Sequence, residues 1–443
     1  MNTDEAKILT GECLEMALGA GADKARASYA RNAMSIVATL DGAVDKVTSC
    51  LDCSISLNIF ADGRYGSFST NKLERGALRG FIAKAVETTK MMAPDPARDL
   101  PDPSRTVKDA VTGNELGICD PQWQAVTPQQ RIDAALKNSL GSACGKGWKL
   151  ISSEGEYSDS EYVSFVADTN GTKALHCETS FEFFTELTIE DARGHKYSGG
   201  WWDAAPLLHD FHPGDVSAKA LEEAVMQIGP RRCRSGKYRA VVDSEVSSKL
   251  MNPVLNALNA FSIQQKNSFL EGTLGKQVFP AGFDIMDMPR IKGEACGRMF
   301  DTEGVATTDH YIIKDGVVQE YFVNTYMANK LGIAPTVEDA TRPFIPPFAV
   351  SRQQSKIMDI CGDGILITDF CGGNCNSATG DFSYAIQGYR FKNGCIVHPV
   401  REMLITGNMT DLWSRLIAAG NDARRCREKL TPTLAFDAVD FSG

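Results

Sequence analysis

Between Thr368 and Tyr389 the chain reads TDFCGGNCNSATGDFSYAIQGY, setting Gly372, Gly373, Gly380 and Gly388 among Asn374, Asn376, Thr379 and Asp381. Glycine opens backbone conformations and close approaches barred to other residues, and Asn, Asp and Thr cap tight turns through their side chains. Such a segment is expected to join core strands by tight turns. It can also line a cavity, where accessible N–H and C=O groups would take an extended peptide as an added strand. Gly372, Gly373, Asn374, Thr379, Gly380 and Asp381 are therefore the candidate cavity-lining or substrate-binding residues, and no residue is assigned a catalytic role.

The rest of the chain alternates helical and strand patterns. Ala6, Ile8, Leu9, Cys13, Leu14 and Ala17 form a stripe that predicts an amphipathic helix over 3–20. Strand patterns from Met34 to Leu40 and from Ser54 to Phe60 run into Asp41-Gly42 and Asp62-Gly63, which signal hairpins. A helix is expected over about 72–92, and then Pro94, Pro96, Pro101 and Pro103 mark a linker. Thr127-Pro128-Gln129-Gln130 has the form of a capping box that starts a helix running to about 144. Strands follow over Tyr162–Ala167 and Ala174–Thr188, joined through Asn170-Gly171, and Asp215 is a candidate cap for a helix ending near Gly229-Pro230. Beyond Arg231 one helical stretch (about 244–264) precedes many short strands. The fold class is thus α+β, with domains at 1–105 and 106–230 built from helices and antiparallel hairpins, and a β-rich domain at 231–443.

A length of 443 residues, 43% of them apolar and 23% charged, suits ordinary folded domains. The net charge of −10 argues against a nucleic-acid surface, which needs concentrated Lys and Arg. The basic cluster of Arg231, Arg232, Arg234, Lys237 and Arg239 reads as a solvated segment. No stretch approaches the ~20 apolar residues that span a bilayer, and the acidic N-terminus lacks the basic start and apolar block of a signal peptide. A cytoplasmic location without membrane attachment is expected. Thirteen cysteines at scattered spacing read as buried or free thiols, with no disulfide framework, and this includes the Cys50/Cys53 and Cys371/Cys375 pairs.

Several ordered segments together resemble the TldD/PmbA family, whose members are often described as modulators of DNA gyrase. They are Ile59-Phe-Ala-Asp-Gly-Arg-Tyr-Gly-Ser-Phe-Ser-Thr-Asn, Ser268-Phe-Leu-Glu-Gly-Thr-Leu-Gly-Lys-Gln-Val-Phe-Pro, Phe300-Asp-Thr-Glu-Gly-Val-Ala-Thr, Lys314-Asp-Gly-Val-Val and Asn324-Thr-Tyr-Met-Ala-Asn-Lys-Leu-Gly. The glycine run and Pro399-Val-Arg-Glu-Met-Leu-Ile-Thr-Gly-Asn complete the series, and the middle of the chain carries the fewest matches. The active branch, TldD, resembles a zinc metallopeptidase with H-E-x-x-x-H on a helix and a further cysteine ligand near its C-terminus. Two imidazoles on one helical face hold the metal, and a carboxylate beside them activates its water. Here no histidine lies between His212 and His310, and Asn252, Pro253 and Asn256 stand where that motif falls. Cys426 lies near the family's C-terminal cysteine position.

This is the pattern of the PmbA/TldE-like branch. The resemblance implies a non-catalytic subunit of a heterodimeric metallopeptidase that completes a chamber for unfolded peptides. No metal or other cofactor is expected in this chain, and zinc is expected in a TldD-like partner subunit. Unfolded peptides are the expected ligands, and the isolated chain is a candidate homodimer.

Two alternatives remain open at the level of sequence. One is a stand-alone hydrolase or peptidase using a cysteine (Cys371 or Cys375 beside Asp381) or an unrecognised metal site. The other is a non-enzymatic modulator acting through protein contacts. His209 and His212 precede Pro213-Gly214 and read as loop residues, whereas His176, His195, His310 and His398 stand singly in strand or turn segments. Trp201-Trp202 reads as core or interface packing. No P-loop is present.

Overall fold

The computed structural model describes residues 3–349 and 353–443. They gather into two compact units. The first holds the chain through Val225 together with Arg290–Thr307 and Asn324–Pro335; the second holds Met226–Pro289, Thr308–Val323 and Thr336–Gly443. The fold class is α+β, as the sequence indicates, and among the described residues no helix is long and apolar enough to cross a membrane.

In the first unit, α1 (Thr3–Gly19), α2 (Arg75–Lys90), α3 (Thr112–Leu116), α4 (Pro128–Asn138) and α5 (Val216–Met226) accompany one eight-stranded sheet. Its strands are β1 (Lys24–Leu40), β2 (Ala43–Ala61), β3 (Arg64–Thr70), β4 (Lys108–Val111), β5 (Cys144–Gly145), β6 (Trp148–Asp168), β7 (Lys173–Asp191) and β8 (Lys196–Ala205). The order is β3-β2-β1-β6-β7-β4, with β5 on β6 and β8 on β7, so strands from both sides of residue 105 share one sheet. Side chains alternate across the pleat. Ala25, Ala27 and Tyr29 of β1, Ile55, Leu57 and Ile59 of β2, and Val163 and Phe165 of β6 pack with Leu9 and Cys13 of α1 and Leu78, Ile82 and Val86 of α2.

The hairpin turns form where Asp-Gly predicts them: Asp41 and Gly42 have φ of 51° and 80°, and Asp62 and Gly63 have 52° and 68°. The strands are longer than their hydropathy suggests, because β1 begins at Lys24 and β2 runs unbroken from Ala43 to Ala61. The capping box at α4 is complete. The Gln130 N–H donates to Thr127 Oγ1 (3.2 Å) and the Thr127 N–H donates to Gln130 Oε1 (2.8 Å). That helix stops at Asn138, short of 144, and the helix expected after Asp215 starts at Val216 behind a 3₁₀ turn.

One reading of the cysteines is corrected. Cys119 and Cys177 form a disulfide, with Cα atoms 5.6 Å apart. Thr179 N–H donates to the Ile118 carbonyl and Asp120 N–H to Thr179 Oγ1, so the 118–120 segment lies along β7 and the two thiols meet despite their distance in sequence. Cys50, Cys53, Cys371 and Cys375 are in no disulfide.

The second unit opens with β9 (Gly236–Val242), α6 (Ser248–Ala257) and α7 (Ala260–Gln264). The single helix expected over 244–264 is broken between them, where Asn259 caps α7 by accepting from the Phe261 N–H. A small sheet of order β12-β11-β10-β13 comprises β10 (Ile285–Asp287), β11 (His310–Lys314), β12 (Val317–Val318) and β13 (Pro343–Phe344). The larger sheet holds β14 (Gly364–Cys375), β15 (Asp381–Lys392), β16 (Cys395–Asn408), β17 (Leu416–Ala419) and β18 (Leu434–Ser442), in the order β16-β15-β14-β9-β18-β17. A further β16–β18 pairing closes β16, β15, β14, β9 and β18 into a ring. Its interior is apolar, with Val242, Ile365, Ile367, Ile386, Ile405 and Phe436 packed with Trp413 and the buried face of α6.

Candidate functional site

The glycine run is the β14–β15 hairpin with its turn at Asn376–Gly380. Gly373 has φ of 95° beside a bulge in β14, and a Cβ there would lie 2.0 Å from the Ser383 carbonyl oxygen. Gly388 has a similar constraint, since its Cβ would meet the Leu366 carbonyl oxygen at 1.8 Å. Gly372 is different: its Cβ would meet nothing within 4 Å.

The turn is braced from inside. Asp381 accepts hydrogen bonds from the Thr379 hydroxyl (2.8 Å) and the Asn408 amide (3.0 Å), which hold its carboxyl below the usual carboxylate range. Asn408 also donates to the Thr379 carbonyl, and the Met409 N–H donates to that of Gly380. The structure thus brings Thr379, Gly380 and Asp381 into one hydrogen-bonded turn, with Gly372, Gly373 and Asn374 along the exposed end of β14. On one side this end pairs with β15 from Gly372 to Cys375. On the other, β14 pairs with β9 only from Gly364 to Ile367, so the edge of 368–375 carries no strand partner among the described residues.

Helix α6 adjoins the hairpin, with Lys249 Nζ 5.5 Å from the centre of the Tyr384 ring and Tyr384 paired with Gly373. Leu250, Met251, Val254 and Leu255 are its buried face. Asn252, Pro253 and Asn256 lie outside that face, and the Asn252 Oδ1 atom is buried with no hydrogen bond. Two amides and a proline do not suit zinc, which takes imidazole, thiolate or carboxylate.

The nearby thiols are no better placed as nucleophiles. Burial pushes the Cys371 thiol up, and the Asp369 carboxylate adds to the rise; burial and Asp381 do the same to Cys375. Cys371 is hydrogen-bonded to Gln387 (3.1 Å) and Asp369 (3.5 Å), neither of which is an activating imidazole. In the first unit Cys119, Cys177 and Glu161 lie close enough to share a metal, but both sulfurs are in the disulfide and Glu161 is ion-paired with Arg31.

One ionic cluster escaped the sequence reading. His310 is paired in register with Asp287 across β10 and β11, and its Nε2 lies 2.5 Å from Glu320 Oε1 while Nδ1 lies 2.7 Å from the Thr308 carbonyl oxygen. Burial alone would lower its pKa, but Glu320, the Thr308 carbonyl and Asp287 together raise it to about 9. Asp287 reaches His310 only through the pairing of β10 with β11, whereas Glu320 comes back to it across the Asp315-Gly316 turn that joins β11 to β12. His209 and His212 lie in and beside a short 3₁₀ turn, and His176 is buried within 3.3 Å of Glu178. Trp201 and Trp202 are half-buried on β8.

A closed β-ring with a glycine hairpin beside a core helix, preceded by a long mixed unit, is the architecture of the TldE-type fold. TldE from Thermococcus kodakarensis shares it at a TM-score of 0.80 over 98% of this chain and 100% of that one, with 15% identity. A proposed modulator of DNA gyrase from Bacteroides thetaiotaomicron is 34% identical and matches with a TM-score of 0.94, all of both chains being covered. The profile of the PmbA/TldA metallopeptidase central domain matches residues 123–228, and that of the C-terminal domain matches 235–443. Metalloprotease PmbA of Escherichia coli O157:H7 is 26% identical over 92% of this chain and 90% of its own length. The chain belongs to the PmbA/TldD metallopeptidase family.

Proposed function

We propose that this chain is the PmbA/TldE-like subunit of a heterodimeric metallopeptidase, holding unfolded peptide for a TldD-like partner that carries the zinc and the hydrolytic centre. The observation that carries the reading is the make-up of α6, which offers Asn252, Pro253 and Asn256 where a hydrolytic member needs imidazoles and a carboxylate. This chain then needs no cofactor of its own. Peptide would add as a strand along the free edge of 368–375, its main chain hydrogen-bonding to β14. Gly372 and Asn374 leave that edge open, while Thr379, Asp381 and Asn408 keep the turn rigid behind it.

The test is cleavage of an unfolded peptide by this chain, by the TldD-like protein of the same genome, and by the mixture, each with and without a chelator. Chelator-sensitive cleavage by the mixture alone is expected. Cleavage by this chain alone would overturn the reading. Gly372→Val in the mixture should slow cleavage while leaving this chain folded, and unchanged cleavage would remove the hairpin edge from the peptide site.

A further inference from the structure

The inference concerns the Cys119–Cys177 pair and does not depend on the peptidase reading. Cys119 lies on the 118–120 segment and Cys177 on β7, with Cα atoms 5.6 Å apart. More than the disulfide holds their backbones together. The Thr179 N–H donates to the Ile118 carbonyl (3.0 Å) and the Asp120 N–H to Thr179 Oγ1 (2.8 Å). The Thr179 hydroxyl donates in turn to the Pro206 carbonyl (2.6 Å), and Asp120 Oδ2 accepts from the Leu208 N–H (2.8 Å). None of these bonds involves sulfur, so reduction leaves the two thiols facing each other. Glu161 stands on β6 opposite Thr179, diagonal to Cys177 on the same face of the sheet. One of its carboxylate oxygens and the two sulfurs all lie within 4.8 Å of one another.

We propose that Cys119, Cys177 and Glu161, once the disulfide is reduced, bind a zinc ion, so that disulfide and metal are alternative clasps between the 118–120 segment and β7. A dithiol passes two electrons and two protons to the S–S bond and becomes a disulfide itself; Zn²⁺ then displaces the two thiol protons and takes both thiolates. Zinc accepts thiolate and carboxylate together in tetrahedral geometry, with water in the fourth position. An ion ~2.3 Å from each sulfur sets them roughly 3.8 Å apart, a separation that rotation of the two side chains reaches. The charges also close. Two thiolates and a carboxylate around Zn²⁺ leave one negative charge, and Arg31, ion-paired with Glu161 Oε2, supplies the positive one. Arg31 engages only that oxygen, and Glu161 Oε1 has no hydrogen bond among the described residues. In a compartment that keeps thiols reduced, the metal clasp is the form present.

The experiment is zinc binding by the full chain, reduced with an alkylphosphine under nitrogen or oxidised with diamide, and read by competition with a chromophoric chelator. No peptide or other protein is present, so its failure is separate from any failure of the peptidase assay. The remaining cysteines bring a background, which reduced Cys119→Ser measures because it keeps all of them. The reduced wild type should hold one zinc per chain more than this variant, and oxidation should release it. Glu161→Gln keeps both cysteines and should weaken that zinc about tenfold or more. In the reduced wild type, zinc should also shield Cys119 and Cys177 from alkylation, read by peptide mass spectrometry. Equal zinc in the reduced wild type and Cys119→Ser, zinc retained after oxidation, undiminished affinity in Glu161→Gln, or unshielded cysteines would overturn the proposal. Circular dichroism on each variant separates a lost site from lost folding, and the alkylation pattern needs no variant at all.

Discussion

At Gly373 two constraints coincide, a φ of 95° and a missing Cβ that would otherwise lie 2.0 Å from the Ser383 carbonyl oxygen. Left-handed backbone costs an ordinary residue roughly 1–2 kcal/mol, and overpacking adds roughly 1–3. Gly373→Ala should therefore lower the unfolding free energy by about 2–5 kcal/mol in denaturant titrations. Gly372→Ala, in open space next door, should change it by about 0.5 kcal/mol or less. Equal effects would mean that the bulge relaxes around the added methyl. The sequence marks both glycines alike, and only the paired strand distinguishes the structural one from the accessible one. The same limit explains the thiols. Asp369 is two residues from Cys371 on β14 itself, but that the Gln387 amide reaches the thiol depends on which residues β15 places opposite it.

Single elements were legible wherever the controlling chemistry is local. Thr127 and Gln130 announce the start of α4, and each bonds the other's backbone N–H. Loss of such a cap costs about 1 kcal/mol, so Thr127→Ala should lower stability by about that much, with Thr127→Ser restoring most of it. A fully stable Thr127→Ala protein would show that tertiary contacts alone hold that helix. The Asp-Gly turns were equally readable, because their residues tolerate positive φ. The first half of β1 was not. Ala25 and Ala27 on the buried face give too little hydropathy contrast against Ser28 and Ala30 on the other to reveal the period of two. Nor could local pattern show that β1 pairs with β6, far along the chain, or that Cys119 meets Cys177. Those outcomes are decided by which long strands find one another. At the candidate site, residue types were legible, but the unpaired edge of 368–375 follows from where β9 stops.

For the whole molecule, the group with a distinct effect on stability across neutral pH is His310. Its unfolded value lies near 6.5, and folding raises it to about 9 through Glu320, the Thr308 carbonyl and Asp287. The folded state therefore binds the proton more tightly than the unfolded chain. That stabilisation is complete below about pH 6.5, declines above it, and is gone once pH rises past 9. With its partial exposure discounted, the contribution is about 1–2 kcal/mol. Unfolding free energy should fall by that amount between pH 6 and pH 9.5, and His310→Gln should flatten this part of the profile. An unchanged slope in the variant would place the pH dependence elsewhere. The ring of β9, β14, β15, β16 and β18 has a consequence for biosynthesis. Strand β9 is made early, yet its neighbours β14 and β18 begin only at Gly364 and Leu434. At ribosomal speeds of about 5–20 residues per second, β9 waits roughly ten to forty seconds for its last neighbour. Throughout that interval the β18 side of Ala240, Val241 and Val242 stays open, an apolar strand edge on a nascent chain that chaperones can reach before any peptide substrate is met.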